Sequence, residues 1–411
     1  MRSLWPLTLA LTLALAACDD DPKTTNNVNN VNNVNNVNNV NNVNNVNNVN
    51  NVNNVNNVTC DPAGVLTTGT RLALHTGNAD NGGLSVLDLA SDPVTLAADV
   101  AVVHSDSTVR AGNDRLYVIG RLGGDSLLAL DDETFAVQWQ LPLPAGSNPQ
   151  DLALVSTCRA YVSLYQKNFL QIVDPTAGAT VDGTAVVPLA DFADADGLPE
   201  ASFLLAHGGR VYVALQNLVD WAASRNGRLV VVDPATDAAG TAIELTSPNP
   251  FSPIVAVDDT HLAVGCVGDF SGTQGGIELV DTAAGTSTLA VSSTDLGGVV
   301  TDLVMEDADL EDEGAACGFA LVNTPEWTSG IRRFCLTDGE GGPGAAGDWL
   351  VAAGPYTIVG LALVDDVLYF ADATADAPGV RFVDLALPDA VSERLATGLP
   401  PGFAKPFTPL P

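Results

Sequence analysis

The chain has 411 residues and a formal net charge of −33, from 49 acidic against 16 basic side chains. Such a chain repels the phosphates of nucleic acid and the headgroups of anionic lipid, which excludes both as charge-driven partners. Calcium and cationic peptides stay compatible with it, and solubility alone also accounts for the charge.

The first segment reads "MRSLWPLTLALTLALAACDDD". Arg2 leads a short apolar run, Leu4 to Ala17, that fits a secretory signal better than a membrane span. The run ends Leu15-Ala16-Ala17-Cys18, which resembles the lipobox of bacterial lipoproteins, a small-residue cleavage site directly before a cysteine. The resemblance implies residues 1–17 as a signal peptide and lipid on Cys18, anchoring the protein to a membrane of the bacterial envelope. The outer membrane or cell surface is the favoured location. Asp19 resembles an inner-membrane retention signal and keeps the periplasmic face of that membrane open.

Asn-Asn-Val follows in eleven unbroken copies from Asn26 to Val58. A period of three matches neither helix nor strand. One valine per triplet buries too little apolar area to offset chain entropy. Residues 18–59 therefore read as a disordered tether. A coil of about 40 residues spans roughly 35 Å, and about 130 Å fully extended. A solenoid is the structured alternative, but the tract is too short for the three or so coils that such stacks need.

Residues 60–411 contain a recurring pair of strands. The first members are "LALH" at 72, "LYVIG" at 116, "AYVSL" at 160, "VYVAL" at 211, "LAVGC" at 262, "GFALV" at 318 and "LYFAD" at 368. Each is followed by a second run, as in "LQIVDP" (170–175) and "LVVVDP" (229–234). A spacing of roughly 50 residues lies in the range of propeller blades. In the third unit "DLALVS" (151–156) and "TAVVPL" (184–189) supply a strand before and after, giving four per unit. The expectation is an all-β, seven-bladed β-propeller of four-stranded antiparallel blades. Asp88, Asp131, Asp174, Asp233, Asp281 and Asp384 close the second runs and read as turn residues that bind backbone N–H groups.

The stretch "NPQDLALVSTCRAYVSLYQKNFLQIVDPTAG" (148–178) resembles the YVTN-type propeller repeat: proline, an apolar strand, a Tyr-Val strand, a loop, then Val-Asp-Pro. The likeness is good over units three and four and fainter elsewhere. It implies a seven-bladed propeller outside the cytoplasm, often at a surface and usually without an established reaction.

Of six cysteines, Cys18 is assigned to lipid. A hairpin symmetric about residue 326 sets Val322 opposite Gly330 and Cys317 opposite Cys335, a separation suited to a disulfide. Export permits the bond. Cys60, Cys158 and Cys266 leave an odd number; a Cys60–Cys158 pair with a buried Cys266 is one arrangement, and spacing does not choose among them.

In such blades the second-to-third-strand loops and the blade-to-blade connections share one face. Here they are long and carry Trp221, Phe270 and Trp327, with Phe192 and Phe251, beside carboxylates. Aromatic side chains in polar loops suit contact with a protein, peptide or glycan; packing over blade ends is the competing role. Asp191, Asp194, Asp196 and Glu200 crowd one connection. They are candidate ligands for calcium, although the helix–loop–helix calcium pattern fails there. A solvated acidic turn is the alternative. The acidic run 306–317 is a second, weaker calcium candidate.

His75, His104, His207 and His261 show no metal spacing, and no nucleophile elbow, phosphate loop or zinc motif occurs. No cofactor beyond calcium is implied. The sequence therefore points to a non-catalytic binding module. A calcium-assisted, lactonase-like hydrolase with acids assembled around the channel is the alternative, and a purely structural envelope protein the third.

Overall fold

Seven sheets, each of four antiparallel strands, follow one another along the chain. The computed structural model describes residues 60–61, 69–306, 316–337, 342–388, 390–402 and 406–410. The signal-like segment, Cys18, the Asn-Asn-Val tract and residues 307–315 of the acidic run lie outside them. Among the described residues no helix is long and apolar enough to cross a membrane.

Blade two shows the plan. Ser107–Gly112 is innermost, then come Arg115–Gly120, Ser126–Asp131 and Val137–Pro142. Blade three repeats it with Pro149–Ser156, Arg159–Leu164 and Phe169–Asp174, its outer strand split into Ala179–Thr180 and Val186–Pro188. Blade four uses Ala201–His207, Arg210–Leu215, Arg228–Asp233 and Ala238–Glu244. Blades five, six and seven begin at Val255–Ala256, Val299–Met305 and Ile358–Val364.

Blade one departs from the expectation that each unit supplies its own four strands. It contributes Arg71–Gly77, Gly82–Asp88 and Thr95–Val103, and its innermost strand is Phe407–Leu410 from the far end of the chain. The last strand thus closes the ring onto the first blade, which satisfies an edge that would otherwise stay unpaired.

The middle strands are apolar almost throughout because both faces of each blade are covered. Seven hydrophobic clusters result, one per interface between neighbouring blades. In blade four Val211, Val213 and Leu215 turn towards blade three and pack with Tyr161, Leu170 and Ile172. Tyr212 and Ala214 turn the other way and pack with Leu262 and Val264 of blade five. The strand period of two therefore serves two interfaces at once. Leu72, Leu74 and Phe407 join Val359 and Tyr369 across the closing interface.

The six turn aspartates have the expected role. Oδ1 of Asp174 accepts the Thr176 and Ala177 N–H groups at 2.8 and 2.9 Å. Asp281 does the same for Ala283 and Ala284. Asp88, Asp131, Asp233 and Asp384 each cap the same kind of turn.

Cys317 and Cys335 face each other in the blade-six hairpin and form a disulfide. Cys60 pairs with Cys158, leaving Cys266 as a buried thiol. The second bond fixes the start of the Cys60–Pro411 unit to the first turn of blade three, where the Thr157 N–H also donates to the Asp61 carbonyl at 2.8 Å. That turn lies on the short-turn face, opposite the long loops.

Candidate functional site

The long-loop face is built from the sites where strands hand over. In blade four the loop between Arg210–Leu215 and Arg228–Asp233 carries a small hairpin, Leu218–Val219 paired with Ala222–Ala223. Its two-residue tip is Asp220–Trp221, with φ of 51° and 65°. Such a tip demands left-handed backbone at both positions and usually selects Asn-Gly. In blade six the Trp327 N–H donates to the Thr324 carbonyl and the Thr324 N–H to the Thr328 carbonyl, both at 2.9 Å. This is a three-residue hairpin whose third position is left-handed, and Trp327 holds it at φ 59° where glycine is the usual choice. Phe270 of blade five follows a turn onto the Val267 carbonyl and sits at φ 63°.

All three rings reach solvent: Trp221 is 69% exposed, Trp327 55% and Phe270 37%. Phe251, on the connection from blade four to five, is 36% exposed and meets Phe270 edge to face at 5.6 Å between ring centres. Phe192 differs. It packs against the cluster between blades three and four with the Arg228 guanidinium 5.7 Å over its ring, so its role is packing.

The aromatic loops form a continuous ridge. The Gln216 amide donates to the Pro250 carbonyl at 3.1 Å. The Val267 N–H reaches Asn249 and the Gly268 N–H reaches Pro248. A Cβ on Gly272 would lie 3.6 Å from the Pro325 ring, so the blade-five and blade-six loops abut.

The structure does not bring the four candidate calcium ligands together. Oδ1 of Asp196 accepts the Leu198 N–H at 3.0 Å, the Asp194 carboxylate takes the Ser224 hydroxyl, and Asp191 is exposed. Glu200 is buried, with Oε2 on the Leu218 N–H at 2.9 Å. Burial pushes its carboxyl from 4.5 up to about 7, and the charges of Asp196 and Asp194 push the same way. Local turn bonding thus engages Asp194 and Asp196 separately. Among the described residues no group of three or more His, Cys, Asp or Glu is placed to hold a metal ion.

The central cavity is mostly apolar. It measures about 180 Å³ and is lined by the inner-strand residues Leu152, Leu204 and Phe407 and by Ile254 just before the blade-five inner strand. Its charged pair is Arg110 and Asp151, with Nε 2.7 Å from Oδ1. Asp151 is also the acceptor for its neighbour Leu152 N–H and, across the blade gap, for the Leu204 N–H at 2.9 Å. Asp302 repeats this between blades six and seven, accepting the Leu303 and Leu361 N–H groups. Inner strands of neighbouring blades splay too far for backbone ladders, and these carboxylates bridge them. The sequence offers a faint trace of the device in "DL" at 151–152 and 302–303, which periodicity alone does not single out.

No protein-family model matches the sequence, and no curated protein is similar to it. Solved structures are similar in fold. One is a functionally unknown protein of Desulfotomaculum acetoxidans, 12% identical, TM-score 0.52, over 85% of this chain and 100% of that one. A protein of Bacteroides uniformis assigned provisionally as a 6-phosphogluconolactonase is 12% identical, TM-score 0.57, over 80% and 97%. The Dos1 propeller is 12% identical, TM-score 0.52, over 83% and 88%. At this identity the likeness shows the propeller fold alone.

Proposed function

We propose that this chain is a non-catalytic binding module of the bacterial cell envelope, anchored by lipid on Cys18, that engages a ligand with the aromatic ridge over blades four to six. The observation that carries the reading is the set of three solvent-facing rings, Trp221, Phe270 and Trp327, on abutting loops in left-handed backbone. Each such conformation costs a bulky residue about 1 kcal/mol or more, and ring exposure adds an unfavourable apolar surface. Packing offsets part of this at Phe270, which meets Phe251 edge to face, while the exposed faces of Trp221 and Trp327 gain most from contact with a partner.

A hydrolase is the second reading. Glu200, buried and titrating near 7, has the character of a general base poised at neutral pH. The channel argues against it, because Asp151 is saturated by Arg110 and two N–H groups.

The test compares the full chain with a Trp221→Ala, Phe270→Ala, Trp327→Ala variant on arrays of peptides and glycans. The reading expects binding in the parent and its loss in a variant that still unfolds in one cooperative transition. Equal binding by both proteins would overturn it. Cys18→Ser is expected to move the protein from the membrane to the soluble fraction; unchanged fractionation would remove the anchor from the account.

A further inference from the structure

We infer that the ridge takes a cationic ligand, an extended polypeptide segment that presents lysine or arginine side chains in succession. The inference rests on the ridge being the binding face and adds the chemistry of what binds there.

Its basis is a recurrence in loops of otherwise unlike sequence. Asp220 precedes Trp221, Asp269 precedes Phe270 and Glu326 precedes Trp327. All three carboxylates are exposed, as are all three rings. Three successive blades thus offer the same pair, an aromatic face with a negative charge one residue away. An ammonium or guanidinium group over a ring is attracted by its quadrupole, and an adjoining carboxylate supplies the countercharge. A neutral sugar would use the rings alone, whereas a cation also meets the carboxylates, of which Asp269 in addition caps its own turn by accepting the Ser271 N–H at 3.0 Å.

The ridge has no free cation of its own to compete. In the segments 216–227, 246–253, 267–276 and 323–330 the only basic residue is Arg225, and it is held by Glu244 at 3.1 Å. The net charge of −33 adds long-range attraction for the same sign of ligand. The pairs sit on neighbouring blades joined by abutting loops, so a chain that reaches several pairs gains over a single amino acid by effective concentration.

The experiment is calorimetric titration of the full chain with three probes: hexalysine, the same peptide acetylated on every side chain, and cellohexaose. Hexalysine is expected to bind, more weakly with added salt, while the acetylated peptide does not. Each ring replaced by alanine is expected to weaken binding about 3-fold. The combined Asp220→Asn, Asp269→Asn, Glu326→Gln variant is expected to lose about 10-fold or more, by loss of three countercharges. The proposal is overturned if the acetylated peptide binds equally well. It is also overturned if the ring and amide variants bind hexalysine like the parent, since that is the general attraction of an acidic chain. Ring-dependent binding of cellohexaose without ring-dependent binding of hexalysine would overturn the cationic ligand and leave the binding face standing. If no probe distinguishes the ring variants from the parent, both readings fall.

Discussion

At the scale of single residues, two side chains stand in environments that the fold alone does not favour. Trp327 holds a left-handed position suited to glycine. Glycine there relieves the steric clash but adds freedom to the unfolded chain, and the first effect is the larger. Trp327→Gly is therefore expected to be more stable than Trp327→Ala by about 1 kcal/mol in urea denaturation. An alanine variant as stable as the glycine variant would show that the position is unstrained. Glu200 has a folded pKa raised from 4.5 to about 7 by burial. Below 4.5 both states hold the proton and the group is neutral in its effect. As pH rises from 4.5 to 7 the unfolded state ionises first, so stability falls through that window, by a figure on the order of 2 kcal/mol, and stays lower above it. His75, buried and lowered to about 4, acts in the opposite sense, costing stability as pH falls below 6.5. The comparison with Glu200→Gln isolates the carboxyl: the variant is expected to gain over the parent as pH rises from 4.5 to 8. A constant difference across that range would contradict the burial of a neutral acid. The aromatic residues were legible in the sequence as loop residues. Their backbone state was not, because it depends on the number of residues each turn closes over, which hydropathy does not report.

At the scale of strands, the apolar runs and the aspartates after them were enough to place every blade's middle pair, and hairpin symmetry placed Cys317 opposite Cys335. What they did not place is the strand that completes blade one. Phe407–Leu410 lies within a proline-rich end with no repeat signature, and its pairing with Arg71–Leu74 spans nearly the whole chain. Local pattern carries no information on so distant a contact. The closing strand is anchored by Phe407, which is buried among Leu72, Leu74 and Val359. Phe407→Ala is expected to cost about 3–5 kcal/mol, read as a lower denaturation midpoint. A loss below about 1 kcal/mol would mean that ring closure does not depend on this strand. Proximity in sequence put four acids in one connection, but the turn at Gly197 and the buried seat of Glu200 direct them to different partners.

At the scale of the whole molecule, the seven-fold repeat assigns the two faces different work. The short-turn face holds the aspartate caps, the Cys317–Cys335 end of blade six and the Cys60–Cys158 bond. The long-loop face holds the exposed rings. Between the two faces a cavity of about 180 Å³ is lined mostly by apolar side chains with the Arg110–Asp151 ion pair. The central claim is that ligand meets the ridge and not the channel. The measurement that tests it most directly is amide hydrogen exchange of the full chain with and without hexalysine and cellohexaose. The account predicts protection by hexalysine confined to residues 216–227, 248–252, 267–275 and 323–328. Protection of the channel-lining strands Pro149–Ser156 and Ala201–His207, or none anywhere with either probe, would contradict it.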